Sequence, residues 1–186
     1  MKKYLALGIL ALLLLQCKVK QPYLEETEQK EFIFPLEWVG HYKGTLKIYK
    51  ENKENTIINM ELIIGNPNGS GYYPWTLIYN DEDIREYGLE AINSDLGHYR
   101  IDEFNSIQIE GYLNNGHFVS RFDVMGSDLL VDYHRTNKGI DVSFYISKTQ
   151  AETMTGGEII ARDTVPSVKS FPILVFQKAE LLRISD

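Results

Sequence analysis

The seven residues Gly97-His98-Tyr99-Arg100-Ile101-Asp102-Glu103 bring an imidazole, a guanidinium and two carboxylates together. Inside a cavity such a set could move protons, because general acid–base chemistry needs a donor and an acceptor converging on one reacting group. Read as a strand, the same residues put His98, Arg100 and Asp102 on one face. The alternation makes that face the outer one, a ladder of charges in water. His41, His117 and His134 fall in other runs, with no i, i+2 or i, i+4 pair among the four histidines, so no metal is expected. The serines lack a nucleophile elbow: Gly69-Ser70-Gly71 is a turn, and Ser106 and Ser120 have no flanking glycine pair. No glycine-rich phosphate loop or dinucleotide fingerprint precedes a helix. These residues predict a protein that is not an enzyme and carries no cofactor.

The elements that must position any site are strands. Period-two alternation, the signature of half-buried strands, runs through His41–Lys50, Ile57–Ile64, Tyr73–Tyr79, Arg85–Ile92, His98–Asp102, Ser106–Leu113, His117–Met125, Leu129–Arg135, Ile140–Ser147 and Ile173–Leu182. The links are turn chemistry, among them Asn66-Pro67-Asn68-Gly69, Asn114-Asn115-Gly116, Gly126-Ser127-Asp128 and Asn137-Lys138-Gly139. A helical period is nearest at Asp81–Glu90, which is short and contains Gly88. Thr149–Ser170, with Thr155-Gly156-Gly157 and Pro166, lacks alternation and reads as an irregular excursion before the closing strand.

Short antiparallel strands joined by tight turns form a meander, and closure removes its unpaired edges. The expected fold is all-β, an antiparallel up-and-down barrel of about 8–10 strands. Alternation predicts Leu46, Ile48, Met60, Leu62, Ile107, Ile109, Phe118, Phe122, Val142, Phe144 and Ile146 to point inward. Candidate ligand contacts are Tyr42, Met60, Trp75, Tyr79, Tyr99, Phe118, Phe122 and Phe144, which could equally be core and plug.

Lys2 and Lys3 lead into the apolar stretch Tyr4–Leu15, the length of an export signal and too short to span a bilayer. Leu14-Leu15-Gln16-Cys17 resembles the bacterial lipobox, whose cysteine becomes the lipid-bearing first residue of the mature chain. Leu14 fits the pattern, whereas Gln16 stands where Gly, Ala or Ser is usual. The resemblance implies a signal peptide over 1–16, lipid on Cys17 and a polar, acidic tether to residue 31, with the domain over 32–186. More than one acyl chain gives stable anchoring, so the membrane is an expected partner through Cys17. The address this implies is the envelope of a Gram-negative bacterium, on the outer or inner membrane, with the domain periplasmic or surface-exposed. Cys17 is the lone cysteine, so no intrachain disulfide staples the fold. The net charge of −7 becomes more negative once Lys2 and Lys3 are removed, which argues against nucleic acid as a partner.

Trp38-Val39-Gly40-His41-Tyr42-Lys43-Gly44 resembles the opening of calycin barrels, the group of lipocalins, fatty-acid-binding proteins and nitrobindins. There an aromatic plugs the closed end and glycines let the first strand bend. With the strand meander, the chain is similar to small lipocalin-like lipoproteins common in Bacteroidota. Nitrobindins imply haem on a histidine near the barrel mouth. This chain has an incomplete glycine run and no histidine in its last strand, so haem is not expected.

Two roles follow. One is a lipid-anchored envelope binding protein holding a small apolar or amphipathic ligand in its barrel. The other is a structural or interaction lipoprotein with a side-chain-filled barrel, docking an envelope protein through its outer face or Thr149–Ser170. A hollow or packed interior separates them.

Overall fold

A computed structural model describes residues 30–50 and 53–184. The expected signal segment, Cys17 and most of the tether lie outside the described residues. The domain contains the strands β1 (Gly40–Lys50), β2 (Thr56–Ile64), β3 (Tyr73–Tyr79), β4 (Asp83–Asn93), β5 (His98–Asp102), β6 (Gln108–Asn114), β7 (His117–Val124), β8 (Ser127–Arg135) and β9 (Gly139–Lys148). An excursion of two short ribbons follows, in which β10 (Thr153–Thr155) pairs with β13 (Val168–Ser170) and β11 (Ile159–Ile160) with β12 (Asp163–Thr164). The last strand is β14 (Ile173–Ile184).

Each strand from β2 to β9 pairs antiparallel with its predecessor, and β14 pairs with β9 on one side and β1 on the other. The result is a closed, antiparallel ten-stranded barrel. All ten alternating runs become barrel strands, including Arg85–Ile92 where the helical period was nearest, and Thr149–Ser170 is the excursion. Closure depends on two glycines flanking β14. A Cβ on Gly44 of β1 would strike the Glu180 carbonyl, and one on Gly139 of β9 the Leu181 carbonyl. Their absence lets β14 fit between its neighbours.

One expectation is corrected. Ile107 is not an inward wall residue; it is 46% exposed and precedes β6. The reason is a turn over Glu103–Ile107: the Asp102 carboxylate accepts from Phe104 N–H at 2.7 Å, the Asn105 side chain accepts from Ile107 N–H at 3.0 Å, and Glu103 N–H donates to Ile107 O at 3.0 Å. These bonds hold residue 107 out of the alternation.

One end of the barrel is plugged. A 3₁₀ turn at Leu36–Trp38 lays Trp38, fully buried, across the end beside Phe34, their rings edge to face at 4.8 Å. The Tyr42 hydroxyl donates to Trp38 O at 2.7 Å. Above the plug Arg135, 4% exposed, has its guanidinium 4.1 Å from the Phe32 ring and 5.5 Å from that of Tyr42. It donates to the carbonyls of Thr136 and Gly139, and Arg183 donates to Val39 O at 3.0 Å.

The outer wall carries ion pairs. Glu61 accepts from His41 Nε2 and Lys43 Nζ, Glu110 pairs with His98 and Arg100, and Asp128 with Arg121. An apolar inside with charges outside is the reverse of a transmembrane barrel. No helix among the described residues is long and apolar enough to cross a membrane.

Candidate functional site

The barrel interior is neither filled nor empty throughout. The sector walled by β1, β2 and β14 is packed: Tyr42, Leu46, Met60, Leu62, Ala179 and Leu181 are each at most 2% exposed. The other side, walled by β3 to β9, encloses a cavity of about 280 Å³. That is close to the lower bound of small-molecule pockets, about 300 Å³.

Alternation explains the lining. On β7, Phe118, Ser120, Phe122 and Val124 recur with period two and all face the cavity; on β8, Leu129, Val131 and Tyr133 do the same. Leu77 from β3, Ile101 from β5, Ile109 from β6 and Phe144 from β9 complete an apolar girdle. The floor toward the plug is aromatic. Phe34 stacks on Phe118 at 5.1 Å, and Trp75 meets Phe118 at 5.9 Å and Tyr133 at 5.1 Å, edge to face in both cases. Such edge contacts fix ring positions as well as burying area.

The opposite end, at the β3–β4, β5–β6 and β7–β8 turns, forms the rim. Arg85 and Glu103 are its charged members. Asp83 holds the Arg85 guanidinium in a two-bond pair, at 3.1 and 2.7 Å, which keeps it charged. The same guanidinium lies 5.0 Å from the Tyr79 ring centre. Burial pushes the Tyr79 phenol up to about 12 and raises those of Tyr87 and Tyr133, so all three are hydrogen-bond donors at neutral pH.

Of the eight candidate contacts, Trp75, Tyr79, Phe118, Phe122 and Phe144 line the cavity. Tyr42, Met60 and Tyr99 do not: Tyr42 and Met60 belong to the packed sector, and Tyr99 meets the plug, its ring 4.7 Å from Phe34 and its hydroxyl donating to Phe34 O. Sequence reasoning missed Arg85, Tyr87, Glu103, Ser120 and Tyr133. Ser120 was discoverable, since it lies in phase between Phe118 and Phe122. Tyr133 stands in the same relation to Val131.

The Gly97–Glu103 cluster does not converge on a cavity. His98 and Arg100 pair outside with Glu110 at 2.6 and 2.9 Å. Asp102 braces its turn, and bonds from Gln108 and the Phe104 N–H hold its carboxyl below the usual range. From that run Glu103 lies at the rim and Ile101 contributes an apolar wall. No group of three His, Cys, Asp or Glu able to hold a metal occurs among the described residues.

No known protein family and no curated protein matches the chain in sequence. Among solved structures, a protein of unknown function in the DUF3598 family from Nostoc punctiforme PCC 73102 is similar in fold. Its TM-score is 0.59 at 9% identity, over 84% of this chain. The chain spans about half of that protein, 51% of its length. At this identity the likeness shows the fold alone.

Proposed function

We propose that the protein is a lipid-anchored envelope binding protein that holds a small apolar or amphipathic molecule in its barrel. The single observation that carries the reading is the cavity of about 280 Å³, plugged at the Trp38 end and rimmed at the other by Arg85 and Glu103. A mostly apolar wall with a few polar groups is the composition of a ligand pocket.

Anchoring rests on the N-terminal residues, with Cys17 as the lipid site. The described chain begins at Lys30, which pairs with Glu37 beside the plug. The tether therefore leaves from the closed end, and the stretch from Cys17 to Lys30 extends at most about 45 Å. This favours a barrel standing on its plugged end with the rim away from the anchoring membrane.

A second reading is favoured by the excursion, where Met154, Ile159 and Ile160 are 69%, 76% and 59% exposed. Exposed apolar residues of this kind suit docking of an envelope protein.

Native mass spectrometry of the full chain, purified from its own host, tests the ligand reading. The expected result is a co-purifying small molecule, or a raised melting temperature with members of a lipid and small-aromatic panel. The absence of both a bound species and a shift would overturn it.

A further inference from the structure

Two hydroxyls at the cavity floor are left over by the fold. Ser120, 6% exposed, faces inward from β7, and its side chain has no hydrogen-bond partner among the described residues. Tyr133, 7% exposed, stands on β8 opposite Phe118. Its ring meets that of Trp75 edge to face at 5.1 Å, and its hydroxyl makes no hydrogen bond of its own among the described residues. Both residues line the cavity, so their hydroxyls are available to a molecule that occupies it and can bond to them.

The surroundings narrow what that is. Opposite Ser120 stands Gly111, whose missing side chain lets the Phe118 ring and the Ser120 hydroxyl sit close against β6. Above the floor the lining is Leu77, Ile101, Ile109 and Phe144. The charged groups, Arg85 and Glu103, are at the rim. A carboxylate pushed to the floor would lose its water with no cation to meet it, and a hydrocarbon would leave both hydroxyls unmatched. We infer that the cavity takes a compact, uncharged molecule, an apolar or aromatic body bearing one hydroxyl or carbonyl, which enters oxygen first and bonds to Ser120 and Tyr133. This rests on the ligand reading above and goes further, fixing the ligand's class and orientation.

Four probes of similar size test it by calorimetric titration of the full-length protein: acetophenone, 4-ethylphenol, ethylbenzene and phenylacetate. Acetophenone and 4-ethylphenol should bind about tenfold more tightly than ethylbenzene, the worth of one buried hydrogen bond. Phenylacetate should bind no better than ethylbenzene. Ser120→Ala and Tyr133→Phe should each weaken the oxygen-bearing probes severalfold and leave ethylbenzene unchanged or tighter, a pattern that a merely destabilised barrel would not give. Equal affinity for ethylbenzene, or phenylacetate binding tightest, overturns the inference while the ligand reading stands. Binding by none of the four overturns it too, and takes the ligand reading with it if nothing co-purifies from the host.

Discussion

The ring of Phe118 on β7 lies over Gly111 on β6, in the space that a Cβ at residue 111 would occupy. Phe118 is fully buried and also meets Phe34, Trp75 and Tyr99, so a methyl at residue 111 could displace the ring only toward the cavity. This contact fixes the height of the cavity floor. Gly111→Ala should overpack it, at a cost of about 1–3 kcal/mol. Urea unfolding would show the lowered midpoint; an unchanged midpoint would mean that the floor is loose.

Arg135 ties the plug to the barrel. Its guanidinium lies against the Phe32 and Tyr42 rings and donates to the Thr136 and Gly139 carbonyls. Methionine would keep much of the stem's packing and lose both the donors and the charge over the rings. Arg135→Met should destabilise the fold by about 2–3 kcal/mol, from hydrogen bonds of a charged group with a cation–π share. Equilibrium denaturation of the two proteins side by side would check this.

Glu61 gives a pH dependence with a definite sign. Bonds from Lys43 first, then His41, hold its carboxyl below the ordinary value of 4.5 despite burial acting the other way. A depressed folded pKa adds stability that is present above the unfolded value and is lost as pH falls through the folded one. Glu61→Gln should therefore be less stable than the wild type at neutral pH, and the gap should close below about pH 4.5. Melting temperatures across pH 3 to 7 would reveal it; a gap independent of pH would assign the loss to packing.

Cys17→Ala should abolish labelling by a fatty-acid probe in the native host and release the domain from membranes. Labelling that persists in the variant would refute the lipid assignment.

The ten strands were legible because every wall residue of a barrel obeys one rule, in toward apolar neighbours or out toward water. The rule failed at Ile107, where side-chain bonds from Asp102 and Asn105 impose a turn that hydropathy does not register. It was silent on whether the interior is hollow. Met60 and Phe122 both point inward, yet one is sealed in the packed sector and the other lines the cavity, a difference set by side-chain volumes summed around the whole barrel. Ser120 and Tyr133 escaped notice for a related reason: a polar side chain in phase with apolar ones looks like an interruption until the space in front of it is known.

The central claim is that the β3–β9 side of the barrel is hollow. Crystals pressurised with xenon test it directly, since apolar cavities take up this gas. Anomalous density is expected between Ile109, Phe122 and Phe144, above the Phe118 floor. Density found only elsewhere, or side chains filling that space, would contradict the account.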